Sequence, residues 1–252
     1  MTAEKIAVVT GAGGGIGRAL VQKLAGSGWS IVLADQNRAA AEDAYERCRA
    51  LGATAEIVAC DVSRGEEVKA LVEFTVRRFG RIDGFVANAG IAGLVLPITE
   101  FPEEMFDRVL SINMRGVFLS LKYALAVMQP QSSGSFVATA STAAIRGRAN
   151  ICAYIASKHA VLGLVRSAAL ECIGTGVRVN AVCPGPIQTP MIDAINEMAE
   201  KLNPGGPGVV RAVKTAYGKP EDVANTMAFL LSPEAAHMNG AALVIDAGST
   251  VA

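Results

Sequence analysis

The sequence predicts a doubly wound α/β fold, one parallel sheet with helices on both faces, and three observations predict it. Lys5 to Thr10 (KIAVVT) reads as a buried strand, runs at once into Gly11-Ala12-Gly13-Gly14-Gly15-Ile16-Gly17, and gives way to the helical pattern RALVQKLAGSG. Strand and helix then alternate three times before residue 90, which implies parallel strands with ligands at their carboxyl ends. Finally, 252 residues with 51% hydrophobic content suffice for one large core, so residues 1–252 are expected to form a single domain.

The first unit also points to a ligand. Gly11, Gly15 and Gly17, with Ile16 between the last two, permit a tight turn and close backbone approach to a pyrophosphate at a helix N-terminus. The second strand, Ser30 to Ala34, ends at Asp35, where a carboxylate accepts from a ribose 2′-hydroxyl and repels a 2′-phosphate. With no basic residue among Ala12 to Gly14, NAD(H) is expected over NADP(H). Arg38 is the one nearby cation that could turn toward a phosphate, and Asp35 could equally cap the helix expected over Arg38 to Leu51.

Ala53 to Cys60 reads as the third strand, leading to Asp61 and Val62, with Asp61 facing an adenine edge. Ser63-Arg64-Gly65-Glu66 reads as a capping box, and Val68, Leu71, Val72, Val76 and Phe79 repeat at helical spacing until Gly80. Asp83 to Ala87 is the fourth strand, turned by Asn88-Ala89-Gly90. Asp107 to Met128 and Ala153 to Cys172 read as long helices. Gly176 to Cys183 reads as a sixth strand, Lys219 to Leu231 as a helix, and Ala242 to Asp246 as the last strand.

Lys plus Arg (23) equals Asp plus Glu (23), so neither nucleic acid nor an anionic membrane is an expected partner, and a small molecule is. Five cysteines show no paired spacing, and the amino-terminal run lacks the pattern of a secretory leader, so a reducing cytoplasm is expected. His159 and His237 belong to no ligand cluster, and no catalytic metal is expected.

Chemistry concentrates between Ser141 and Lys158 (STAAIRGRANICAYIASK). Tyr154 and Lys158 stand four residues apart, one above the other on a helix. A phenol titrates near ~10, so its use as a general acid or base at neutral pH needs an adjacent positive charge, which Lys158 can supply. Ser141 ends the apolar run SFVATA, where a strand would present its hydroxyl at the sheet's carboxyl edge. Alone, Y-x-x-x-K is common; its setting gives it meaning.

That setting resembles the short-chain dehydrogenase/reductase family over essentially the whole chain. TGAGGGIG at Thr10 to Gly17, Asp61-Val62, NAG at Asn88 to Gly90, Asn113, Ser141, YIASK at Tyr154 to Lys158 and PG at Pro184 to Gly185 carry the resemblance. It implies a Rossmann-like sheet of seven parallel strands and reversible hydride transfer between NAD and an alcohol or carbonyl carbon. It further implies that Tyr154 is the general acid/base, that Lys158 lowers its pKa and binds the nicotinamide ribose, and that Ser141 orients the substrate oxygen. Asn113 would hold a helix distortion and a water of the proton relay; Ile187 and Thr189 would contact the nicotinamide amide beside Pro184. A homotetramer is implied, with a dimer second. Ala87 and Asp246-Ala247-Gly248 depart from the family's usual Asn and Asp-Gly-Gly.

Residues 189–216, broken by Asn203-Pro204-Gly205-Gly206-Pro207-Gly208, suit a mobile substrate lid. Arg211 and Lys214 on that segment, with Arg146 and Arg148 before Tyr154, are candidate ligands for an anionic substrate group. The endings NGAALVIDAGSTVA and AVCPGPIQTPM are similar to those of hydroxyalkyl-sulfonate dehydrogenases within the family, which implies such a substrate. Two readings stand beside a neutral secondary alcohol or ketone: a sulfonate or carboxylate substrate, and a non-catalytic NAD-binding regulator on the same fold.

Overall fold

The computed structural model describes residues 4–205 and 217–251. Its centre is a seven-stranded parallel sheet of β1 (Lys5–Thr10), β2 (Trp29–Asp35), β3 (Ala55–Ala59), β4 (Gly84–Ala87), β5 (Gly134–Thr139), β6 (Val177–Pro184) and β7 (Ala242–Ile245). The strand order is β3-β2-β1-β4-β5-β6-β7, as the doubly wound reading requires. The chain winds outward from β1 to β3 and then restarts at β4 on the other side. This reversal opens a crevice beyond the carboxyl ends of β1 and β4.

Strand residues alternate between two cores because successive side chains leave opposite faces. Val8, Val32, Phe85, Phe136 and Val179 point to one face, under α3 (Gly65–Phe79), α5 (Gly116–Met128) and α6 (Cys152–Glu171). Val9, Leu33, Val86, Val137 and Val182 point to the other, under α1 (Gly15–Ala25), α2 (Arg38–Ala50) and α8 (Pro220–Leu231). Phe85 and Phe136, paired across β4 and β5, stack with ring centroids 5.4 Å apart. Such a buried pair contributes about 0.5–1.5 kcal/mol beyond its buried area and locks the register at the centre of the sheet.

Several local expectations need correction. The helix expected over Asp107 to Met128 is two helices, α4 (Glu103–Leu110) and α5, joined by a π-helical turn at Ser111–Arg115. Asp35 does not cap α2; Asn37 does, its Oδ1 accepting from the Ala40 amide at 3.3 Å. The capping box expected at Ser63 is absent: the cap of α3 is Arg64, and Glu67, not Glu66, reaches back, to the Asp61 amide at 2.8 Å. The Ser63 hydroxyl instead donates to Asp61.

Of the lid expected over 189–216, the structure describes α7 (Pro190–Leu202) and the residues up to 205; Arg211 and Lys214 lie outside the described residues.

Candidate active site

A single cavity of about 800 Å³ occupies the crevice, running from the β1–α1 loop past the tips of β4, β5 and β6 to α7. At one end the glycine loop forms its floor. Gly11 takes φ +63, a left-handed conformation that costs glycine nothing, and any side chain there would strike Ala89. Gly13, Gly14, Gly15 and Ile16 line the cavity, and a methyl on Gly15 would lie 2.7 Å from Thr189 across it. Gly17 stands behind the loop: a Cβ there would come 2.1 Å from the Gly11 carbonyl oxygen, so its part is to let the loop lie on α1. Gly14, the cap of α1, places no side chain on the helix's first amides. Those free N–H groups and the helix dipole are the donors and field that could hold a phosphate.

Asp35 lines the same end. Its Oδ2 accepts from the Gly13 amide at 3.0 Å and its Oδ1 from the Asn37 amide at 2.9 Å, leaving lone pairs on both oxygens for a diol. Asp61 and Val62 form the neighbouring wall, with Asp61 Oδ1 accepting from the Ser63 amide at 2.9 Å. Arg38 turns away, reaching the Ile57 carbonyl at 3.5 Å.

Asn88 ties three strand tips together. Its Nδ2 donates to the carbonyls of Thr10 and Gly11, both at 3.2 Å, and its Oδ1 accepts from the Thr139 hydroxyl at 3.2 Å. The Thr10 hydroxyl, on the last residue of β1, accepts from the amides of Asn88 and Ala89. The sequence reading gave neither threonine a role, and their signal is placement: each is a hydroxyl at the carboxyl end of a buried strand.

Ser141 follows β5 in an extended conformation, with its Oγ accepting from the Ala143 amide at 3.1 Å. Tyr154 and Lys158 lie on successive turns of α6, and all three side chains face the cavity. The Ser141 side chain is the polar group that acts on the Tyr154 phenol. Lys158 Nζ sits 5.6 Å from the Tyr154 ring centre and donates to the Thr139 carbonyl at 2.7 Å. Burial raises the Tyr154 pKa, and the bond to Ser141 opposes that rise. Burial pulls the Lys158 ammonium down to about 8. Burial therefore drives the two titrations apart, the phenol up and the amine down, because each group's charged form is disfavoured in the site.

Asn113 sits behind this group, fully buried in the π-helical turn. Its Oδ1 accepts from the Ile91 amide at 2.8 Å, and its Nδ2 donates to the Ile91 carbonyl at 2.9 Å and the Ser157 hydroxyl at 3.1 Å. Gly90 separates it from Lys158; a Cβ on Gly90 would lie 3.1 Å from Asn113 Oδ1 and 3.6 Å from Lys158 Nζ. Ser157, one residue before Lys158, is a further partner that the motif alone does not reveal.

Pro184, Ile187 and Thr189 close the cavity from β6 into α7, held by a bridge between Ile187 and Gly218. Beyond Tyr154 the walls turn apolar: Val95, Ile151, Met191, Ile192 and Ile195. Of the two arginines before Tyr154, Arg148 lines the cavity and Arg146 does not, since Arg146 donates to the Ser249 carbonyl at 2.8 Å. Among the described residues, no group of three or more His, Cys, Asp or Glu could hold a metal ion.

The family model described as enoyl-(acyl carrier protein) reductase matches residues 11–250. Levodione reductase of Leifsonia aquatica is 39% identical over 257 residues, covering 99% of this chain and 95% of that protein. Cyclohexanol dehydrogenase of an Acinetobacter species is 39% identical over 248 residues, covering 98% and 95%. The crystal structure of an NAD+-bound xylitol dehydrogenase, 36% identical, superposes with a TM-score of 0.91 over 97% of this chain and 99% of that one. A helix-covered sheet of this order, the glycine loop on its first helix, and these matches along the whole chain agree: the protein belongs to the short-chain dehydrogenase/reductase family.

Proposed function

We propose that the chain is an NAD(H)-dependent oxidoreductase acting on a small secondary alcohol or its ketone, with Tyr154 as general acid/base. The observation that carries this reading is the convergence of Ser141, Tyr154 and Lys158 on the cavity whose other end is the glycine loop and Asp35. The residues at that end fit an NAD molecule: Gly13 to Ile16 hold the pyrophosphate, Asp35 takes the adenosine ribose, and Lys158 lies within the part of the cavity left for the second ribose. When bound, NAD supplies the hydride acceptor or donor.

In the oxidative direction Ser141 holds the substrate hydroxyl, and Tyr154, as phenolate, takes its proton while the carbinol carbon loses hydride. In reduction Tyr154 returns that proton to the carbonyl oxygen. Lys158 stabilises the phenolate, and Asn113 fixes the segment through Gly90 and Ile91 that faces it. The apolar wall excludes water and accepts a hydrocarbon substituent. The names of the levodione, cyclohexanol and xylitol enzymes support an alcohol/carbonyl reaction over enoyl reduction.

A second reading, a carboxylate or sulfonate substrate, is favoured by Arg148 on the same wall as Tyr154. The proposal includes a homotetramer working in the cytoplasm. Exposed Phe118 on α5 and Leu170 on α6 support helix pairing between copies, and among the described residues no helix is long and apolar enough to cross a membrane. α7 serves as the beginning of a substrate lid over an otherwise single domain.

NAD+ reduction by the purified protein across matched neutral and anionic secondary alcohols tests the reading, with Tyr154→Phe alongside. Turnover by the unsubstituted chain should fall about 10²–10⁴-fold in the variant while NADH binding persists. Tight NADH binding without turnover of any alcohol or ketone would instead favour the regulator.

A further inference from the structure

At the end of the cavity formed by the glycine loop and Asp35, two arginines line the wall, and neither is the Arg38 to which the sequence draws attention. Arg18 at the start of α1 and Arg47 in the last turn of α2 both line the cavity. Asp43, also on α2, engages both. Its Oδ2 lies 3.4 Å from Arg18 Nη1, and its two oxygens each accept from Arg47 Nε at 3.1 Å. Arg18 is further linked to the ribose end, because its Nη2 donates to the Gly13 carbonyl at 3.1 Å and the Gly13 amide donates to Asp35. Arg18 Nε is buried with no hydrogen-bond partner, so Nη1 and Nη2 alone hold this guanidinium in place.

We infer that Asp43 is a second determinant of dinucleotide selectivity, acting through Arg18 and Arg47 rather than by touching the ligand. The inference rests on the NAD(H) reading above. Asp35 repels a 2′-phosphate directly. Asp43 removes the attraction that two arginines would otherwise offer, by neutralising them and by holding the Arg18 guanidinium on Gly13 instead of over the ribose edge. A phosphomonoester carries up to two negative charges and binds guanidinium in a forked geometry, so two unneutralised arginines at this rim would favour it. Removing Asp43 leaves the hydrogen bonds of Asp35 in place and changes the local charge by one.

The experiment is a fluorescence titration of NADH and NADPH onto the full chain and onto Asp43→Asn, at about 50 mM and about 500 mM salt. Asparagine keeps the size of the side chain and removes its charge, and Asp43 is half exposed, so folding is retained and checked by thermal melting. The ratio of the NADPH to the NADH dissociation constant should fall roughly fivefold in the variant at low salt, from a gain in NADPH affinity. High salt should shrink that change, and adding Arg18→Gln should reverse it. A ratio that stays constant, or affinities for both nucleotides that move by the same factor, overturns the inference and leaves the NAD(H) reading intact. Failure of the unsubstituted chain to bind either nucleotide overturns both.

Discussion

Asn113 and Ile91 form a closed pair: the carboxamide Oδ1 accepts from the Ile91 amide at 2.8 Å while its Nδ2 donates to the Ile91 carbonyl at 2.9 Å. One side chain thus does for an irregular segment what a neighbouring strand would do, satisfying both backbone groups of a residue that follows the tip of β4. The π-helical turn at Ser111–Arg115 brings the carboxamide to this place. Ile91 lines the cavity beside Gly90, so the pair ties helix geometry to the wall of the site.

Asn113→Ala should therefore lower stability and activity together. The Ile91 amide and carbonyl lose their partner in a partly buried setting, and each such group costs about 1–3 kcal/mol. Denaturant unfolding should show a loss of roughly 2–5 kcal/mol. A loss under 1 kcal/mol would mean that water replaces the carboxamide without cost.

Ser141 is the one neighbour whose hydrogen bond holds the Tyr154 pKa down against burial. With Ser141→Ala that bond is gone and the phenol titrates at higher pH. Because alcohol oxidation uses the phenolate, the rising limb of kcat/KM against pH should move to higher pH in this variant, in addition to any fall in the plateau. An unshifted limb with a lower plateau would assign Ser141 to substrate positioning alone.

The Lys158 ammonium loses solvent on folding, and its pKa drops from 10.5 to about 8. Between those values the unfolded chain binds the proton and the folded chain does not, so unfolding free energy rises with pH across the window. Below pH 8 the full penalty of the buried charge is present. The drop corresponds to about 3 kcal/mol. Relative to Lys158→Met, the unsubstituted chain should gain that amount between pH 8 and pH 10.5, as read by urea unfolding. Parallel stability curves for the two proteins would show that Lys158 keeps an ordinary pKa.

Much of this was legible in the sequence because the informative features are local. Glycines before a helical pattern, an acid at the end of the second strand, and Tyr154 four residues before Lys158 all declare themselves by spacing. The architecture followed from alternation alone, since parallel strands need helical crossovers. What was not legible depends on long-range pairing. Nothing near Thr139 in the chain shows that its carbonyl receives Lys158, and the helix distortion expected at Asn113 came from the family resemblance alone, without its π-helical form. Arg146 and Arg148 have the same chemistry two residues apart, yet one turns to Ser249 and the other to the cavity. The cap of α2 falls to Asn37 because the helix starts at Arg38, while Asp35, two residues earlier, accepts from the Gly13 and Asn37 amides.

The last departure from the family pattern lies at Ala247, and the structure gives it a cost. Ala247 has φ +50, in the left-handed region where a Cβ is disfavoured by roughly 1–2 kcal/mol. The turn around it is held firmly. Asp246 accepts from the Gly248 amide at 3.0 Å, the Ser249 hydroxyl at 2.9 Å and the Thr250 amide at 2.7 Å. Burial pushes the Asp246 carboxyl up, but these bonds outweigh it and hold the pKa below its usual value. Arg146 adds a further tie from the loop after Ser141 by donating to the Ser249 carbonyl. With the conformation imposed from outside, Ala247→Gly relieves the strain and gives back part of the gain as unfolded-state entropy. The net expectation is a stabilisation of up to about 1 kcal/mol with unchanged turnover, measured as a rise in the urea midpoint. A destabilised Ala247→Gly protein would show that the methyl group makes packing contacts worth more than the strain it carries.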